Sequence, residues 1–294
     1  MRRMTRANTP CVESDRGPLA LVCGGGSLPF VIADRVVRDG RPVVLFPIKG
    51  FADAVTVARY PHHWIALGQL GRFFRLLRSS HCRDVVMIGY VLRPPLRALR
   101  LDFGTLRLLP RLMSMFRGGD DHLLSGVARL LEEHGFRLLG AHEVAPEILM
   151  PEGMMGQFAI QPRDQADIAY GLSVLAAMGP FDIGQAVIVA DRHVLAIEAV
   201  EGTDQMLARV AQLRQQNRLP SGPGVGVLVK APKPSQDRRL DLPSIGPNTV
   251  AGVVAAGLAG LAVTARSVIV VEPEAVIAAA NQGRVFISGV RAND

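Results

Sequence analysis

Cysteine is scarce in this chain: 294 residues hold three, Cys11, Cys23 and Cys82, with no CxxC spacing and no even framework. A disulfide scaffold is not expected, and a reduced, cytoplasmic setting is. Aromatic residues are also few, at 5%. No zinc-finger or RNP-like motif is present, and the arginines are scattered through apolar sequence. Nucleic acid is therefore not an expected partner, despite a net charge of +7 and a sequence pI near 10.0. Apolar runs are short or interrupted, which excludes a transmembrane helix. Residues 1–16 carry four arginines but no apolar core, so they read as a loose basic tail rather than a secretory signal.

Several catalytic signatures are missing too. None of the seven histidines forms HxxxH or HExxH, and His62-His63 are adjacent, which points their rings apart on a strand. There is no GxSxG elbow for a serine nucleophile. Cys23 reads as the buried end of a strand, and the ten methionines as core filling. No repeat of 20–50 residues is visible. What remains is a basic chain, 49% hydrophobic, whose charge invites a phosphorylated substrate or an anionic membrane face.

The order of elements is α/β. Leu19–Cys23 is an apolar strand ending in Gly24-Gly25-Gly26-Ser27. A helix over Leu28–Val37 and a strand over Pro42–Phe46 follow. Strand, glycine turn, helix and strand open a doubly wound, Rossmann-like sheet, in which the turn offers backbone N–H groups to a phosphate. Short strands are expected at Trp64–Leu67 and Asp84–Ile88. Gln69 and Gly71, beyond the first of these, lie at the carboxyl edge, where ligands bind such sheets. Between residues 93 and 117 six arginines alternate with Leu, Phe and Met, a pattern that suits an anionic membrane or an amphipathic helical pair. Asp120-Asp121 read as the cap of a helix to about Glu133, and Phe136–Leu139 as a strand.

Prolines and glycines at 146–162 mark a linker between an amino-terminal domain, 19–145, and a carboxyl-terminal α/β domain, 163–294. In the second domain a helix over 164–178 precedes strands at Gln185–Ala190 and Val194–Ala199, joined by the turn Asp191-Arg192-His193. Thr203 reads as the N-cap of a helix to Gln215. Past residue 249 come an Ala/Gly-rich helix, a strand at Val268–Val271, a helix from Pro273 and a strand at Val285–Ile287.

The stretch Lys230–Thr249, KAPKPSQDRRLDLPSIGPNT, carries two lysines, two arginines and two aspartates fenced by four prolines. Prolines disfavour a helix here. An extended course over 236–242 would put Asp237, Arg239 and Asp241 on one face, with Leu240 and Leu242 facing a core. Two carboxylates beside an arginine, with Lys230 and Lys233 upstream, suit Mg²⁺ and phosphate together. A surface loop whose charges pair among themselves is the alternative.

GQLG at 68–71, GDDHLL at 119–124, FDIGQAVIV at 181–189, EAVEGTD at 198–204 and VKAPKPSQDRRLDLPSIGPNT at 229–249 occur in that order. Together they resemble the LpxI family, the UDP-2,3-diacylglucosamine pyrophosphatases of lipid A synthesis. The resemblance covers nearly the whole chain from Leu19. It implies a Mg²⁺-dependent hydrolase (Mn²⁺ as a substitute) that forms UMP and 2,3-diacylglucosamine 1-phosphate by attack on the β-phosphate, in a cleft between the two domains. Asp237 matches the family's essential aspartate. Asp237 and Asp241 are then the expected metal ligands, or one ligand and one orienter of water, and Lys230, Lys233 and Arg239 would neutralise the diphosphate. Glu201, Gly202, Thr203, Asp204, Gln236 and Thr249 would contact the substrate, as would Gly24–Ser27, Gln69 and Gly71 from the other domain. The expected setting is the cytoplasmic face of the inner membrane, bound peripherally to its anionic surface, with a homodimer left open. Two other classes remain. A non-catalytic binder of nucleotide-sugars or acidic lipids would not need two carboxylates in QDRRLD. A nicotinamide-dependent oxidoreductase would want GxGxxG and an acid after the second strand, where Phe46-Pro47 stand instead.

Overall fold

Five apolar residues in a row, Leu19–Cys23, form strand β1, and all five are buried. Burial on both faces is the mark of a parallel strand covered by helices on either side. β1 pairs in parallel with β2, Val43–Pro47, and with β3, Asp84–Ile88; β3 pairs in turn with β4, Arg137–Leu139. The order β2-β1-β3-β4 places the first two connections on opposite sides of β1. Helices Leu28–Arg38, Leu70–Ser79 and Asp120–Glu133 accompany this sheet. The segment 64–67 is an irregular edge, not a full strand. It meets the chain leaving β2 at an isolated bridge between Ile48 and Ile65, where Ile65 N donates to Pro47 O at 3.0 Å. The computed structural model describes residues 17–91, 101–106, 108, 120–219, 222, 224–234 and 236–291, with 120–123 as backbone alone. Most of the arginine-rich stretch at 93–117, including Arg93, Arg97, Arg100, Arg107, Arg111 and Arg117, lies outside the described residues.

The chain divides into two compact units, Met1–Leu139 and Gly140–Asp294. The stretch 146–162 is built into the second unit. Its β5, Gly153–Met155, adds an antiparallel edge to a six-stranded mixed sheet of order β5-β12-β10-β8-β6-β7. The other strands are β6 Ala186–Ala190, β7 His193–Ile197, β8 Val227–Lys230, β10 Gly260–Thr264 and β12 Phe286–Val290. Alternation sorts their side chains. Val187, Val189, Val227 and Val229 pack with Ile168 and Leu175 of helix Pro162–Met178. Ile188, Leu228 and Leu261 face Met206, Val250, Val253 and Val276 on helices Gly202–Gln215, Pro247–Ala255 and Pro273–Gly283. A short parallel pair, β9 Ser244–Ile245 and β11 Ile269–Val270, anchors the far end of the charged stretch. The hairpin β6–β7 turns through Asp191 and Arg192, both left-handed, whose amides donate to Asp167 at 3.1 and 2.7 Å.

Candidate functional site

Strand β8 carries three apolar residues into the core and ends in Lys230, whose side chain is buried with them. A buried ammonium needs a partner. Lys230 Nζ donates to Thr203 Oγ1 at 2.9 Å, and that hydroxyl donates to Glu198 Oε1 at 2.6 Å. Glu198 Oε2 accepts from the Gln185 amide at 2.8 Å. The Gln185 side chain reaches Gln236 Oε1 at 3.0 Å, and Gln236 Nε2 reaches Asp241 Oδ2 at 2.5 Å. One polar line thus joins the end of β8, the β6–β7 hairpin, the start of helix Gly202–Gln215 and the charged loop. Thr203, Glu198 and Gln236 are buried along it.

Burial lowers the pKa of Lys230, against the pull of Glu198, Asp204 and Asp241. Burial raises that of Asp241, against its bonds to Gln236 and Gln185 and the charges of Lys233 and Lys230. In both cases loss of water around the charged form is the largest cause, and each group's charge pulls the other way on its neighbour. Asp237 is the opposite case. Its Oδ1 accepts from the Arg239 amide and Nε at 3.0 Å each, and its Oδ2 from Nη2 at 2.8 Å. Those bonds hold its carboxyl below the usual range. Lys233 Nζ pairs with Asp182 at 2.5 Å.

The expected extended course of 236–242 is not what forms. Leu240 and Asp241 donate their amides to Asp237 O at 2.9 and 3.2 Å, so residues 237–241 make a turn. Asp237 folds its own side chain onto the backbone two residues on, a local bond that competes with extension. Asp237, Arg239 and Asp241 therefore do not share an alternating face. Thr203 is a second correction: Glu201 is the N-cap, and Thr203 sits inside the helix with its hydroxyl on Glu198. Glu201 pairs with Arg209 at 3.1 Å, Gly202 has φ +79° and Asp204 is exposed. Thr249 lies in the first turn of helix Pro247–Ala255 and accepts the Gly246 amide at 3.4 Å.

In the first unit the glycine turn is closed against its neighbour. Gly24 N donates to Ile88 O at 2.9 Å and Gly25 N to Tyr90 O at 2.8 Å. A Cβ on Gly24 would stand 2.6 Å from Tyr90 O, and one on Gly25 2.4 Å from the Tyr90 ring. Two of the amides expected for a phosphate are thus engaged by backbone. Gln69 is the N-cap of helix Leu70–Ser79, whose first amides are already held. Leu70 N donates to Thr105 at 2.8 Å, and Gly71 N and Arg72 N to Asp102 at 3.3 and 2.7 Å. Gly71 packs against Gly104.

Three participants were not singled out in the sequence: Glu198, Gln185 and Asp182. All lie in the FDIGQ and EAVEGTD runs, and the hairpin was the signal that could have found them. Antiparallel pairing of β6 with β7 brings the residue before one strand beside the residue after the other. Gly184 makes room: at φ +46° a Cβ there would lie 2.1 Å from Glu198 O.

Asp237 and Asp241 are the carboxylates of the charged loop, oxygen donors of the type hard cations take. Among the described residues no three His, Cys, Asp or Glu side chains converge into a metal cage. Mg²⁺ is commonly held by one or two carboxylates, with phosphate oxygens completing its shell. Both carboxylates are already engaged, Asp241 by Gln236 and Gln185 and Asp237 by Arg239, so each must loosen a bond to take a cation.

Residues 18–148 match the family model of the LpxI N-terminal domain, and residues 151–288 that of the LpxI C-terminal domain. UDP-2,3-diacylglucosamine pyrophosphatase LpxI of Caulobacter vibrioides is 42% identical over 272 residues, covering 92% of this chain and 97% of its own. Among solved structures, the biotin carboxylase domain of the Hydrogenobacter thermophilus 2-oxoglutarate carboxylase, with MgADP, matches 71% of this chain and 43% of that chain. Its identity is 14% and its TM-score 0.23.

Proposed function

Because the chain belongs to the LpxI family in both of its domains, we propose that it hydrolyses UDP-2,3-diacylglucosamine to UMP and 2,3-diacylglucosamine 1-phosphate in lipid A synthesis. The observation that carries this reading is the polar line ending at Lys230 and Asp241. It holds a buried ammonium and a carboxylate together, as an attack on a diphosphate requires. Lys230 uses one of its three N–H donors on Thr203, so further donors remain for phosphate oxygens. Lys233 exchanges Asp182 for the diphosphate, and Arg239 adds charge from the loop. Asp241 and Asp237 would hold Mg²⁺ or Mn²⁺, which when bound neutralises charge on the phosphate oxygens. In this proposal water attacks the β-phosphate and UMP leaves.

Gly24–Ser27, Gln69 and Gly71 are proposed to contribute nucleotide contacts from a Rossmann-like first domain. The protein would work at the cytoplasmic face of the inner membrane, since its substrate carries two acyl chains. No helix among the described residues is long and apolar enough to cross a membrane. Peripheral attachment through the arginine-rich stretch fits that. The test is release of UMP by purified protein from UDP-2,3-diacylglucosamine, with and without Mg²⁺. Metal-dependent UMP is the expected result. Tight binding without UMP would instead make the protein a carrier of nucleotide-sugars.

A further inference from the structure

We propose that Glu198 is a positioning residue for this hydrolysis: through Thr203 it aims the Lys230 ammonium at the phosphates. The inference rests on the hydrolase reading above and assigns a role to a residue outside the charged loop. Glu198 is buried, and both of its carboxylate oxygens are occupied, one by the Thr203 hydroxyl and one by the Gln185 amide. Its backbone is fixed too, by a bond from Glu198 N to Ala186 O at 2.9 Å and by the close approach of Gly184.

The direction of the bonds gives the arrangement its effect. A threonine hydroxyl has one proton and two lone pairs, and an ionised carboxylate can only accept. Glu198 therefore accepts the hydrogen bond that Thr203 Oγ1 donates, and the hydroxyl turns a lone pair to Lys230. The ammonium is drawn to that fixed acceptor, and its other N–H groups are turned away from it. Without Glu198 the hydroxyl has no fixed acceptor for its proton, so the direction in which its lone pairs receive the ammonium is no longer set. The second carboxylate oxygen accepts from the Gln185 backbone N–H and so fixes the backbone from which the Gln185 side chain reaches Gln236, which in turn bonds Asp241. Glu198 thus sets both the cationic and the acidic partner of the site from a place that neither phosphate needs to touch.

Glu198→Gln tests this with little change of shape. An amide has one oxygen, so it can accept from Thr203 or from the Gln185 amide but not from both. UMP release is measured for the full chain as wild type, Glu198→Gln, Thr203→Val, the double variant and Thr203→Ser. Losing one charge-assisted bond should lower kcat about 10- to 100-fold in each of the first two variants, with KM changed less than about 3-fold. The double variant should be no slower than the worse single, because both act along one line. Thr203→Ser keeps the hydroxyl and should run at least about tenfold faster than Thr203→Val. Multiplying losses in the double variant, a loss wholly in KM, or a serine variant as slow as the valine one would overturn the inference while leaving the hydrolase reading intact. Should Glu198→Gln not fold, judged by its thermal melt, the valine and serine pair decides. A wild type that releases no UMP overturns the hydrolase reading, and this inference with it.

Discussion

Asp237 and Asp241 stand four residues apart and differ in chemistry. Arg239 holds Asp237 ionised, whereas burial raises the pKa of Asp241 beside Gln236. Asp237→Asn replaces an acceptor by a donor that faces the donors of Arg239, and it removes one charge from the loop. We expect turnover to fall about 10²- to 10³-fold with the fold intact, as when other electrostatic groups are lost. A variant keeping over half the wild-type rate at saturating Mg²⁺ would move the chemistry elsewhere. Asp84 makes a prediction about stability. It begins β3, buried between Arg41 at 2.7 Å and Arg137 at 2.8 Å. Burial pushes its pKa up, but bonds from Arg137 and Arg41 outweigh that and hold it below the ordinary value. A carboxyl depressed in the folded state stabilises above its unfolded pKa of about 3.9. That contribution is lost as pH falls through the folded value. Asp84→Asn should therefore cost about 2 kcal/mol at pH 7, between an exposed and a fully buried pair. The difference from wild type should shrink in urea melts below pH 4. A constant difference down to pH 2 would exclude the ion pair as its source.

At the level of elements, apolar runs announced the strands. LALVC and DVVMI and the hairpin around Asp191 and Arg192 form where the pattern placed them. β10 was hidden, because GLAVT sits in Ala/Gly-rich sequence that reads as helix. It becomes a strand because β8 and β12 flank it in parallel, a tertiary choice that no local window contains. The candidate site was legible in kind but not in geometry. Lys230, Asp237 and Asp241 could be picked from charge and proline spacing. The turn at 237–241 depends on one side chain bonding its own backbone, and Glu198 joins the site only through hairpin register. The glycine turn separates two uses of glycine. At Gly24 a Cβ meets backbone, and at Gly25 it meets the ring of an exposed tyrosine. Gly24→Ala should cost about 1–3 kcal/mol in thermal melts, as overpacking against rigid atoms does. Gly25→Ala should cost less, because Tyr90 can swing into solvent. Equal losses would mean that the Tyr90 ring is fixed too.

Over the whole molecule, two units of different sheet order carry one basic chain. A diacylated substrate has to be taken from a bilayer, and the arginine-rich stretch is the part of the sequence suited to an anionic surface. Where that stretch is described it exposes apolar side chains: Phe103 is 72% exposed and Leu106 49%. Exposed apolar groups among arginines suit an interface of acyl chains and phosphates. Replacing Arg97, Arg100 and Arg107 with glutamine should weaken binding to liposomes containing phosphatidylglycerol. The effect should approach 1 kcal/mol for each charge removed, or about two decades in partition for all three. Binding equal to wild type would make the segment ordinary packing.

Attack on either phosphorus yields the same two products, so the position of attack must be read from the oxygen that water delivers. If the loop of Lys230, Asp237 and Asp241 meets the sugar-side phosphate, water enters there and UMP departs as the leaving group. Hydrolysis of UDP-2,3-diacylglucosamine in ¹⁸O-water, followed by mass spectrometry of both products, should put the label in 2,3-diacylglucosamine 1-phosphate and leave UMP unlabelled. Label in UMP would place the attack on the α-phosphate and contradict the assignment of this loop to the β-phosphate.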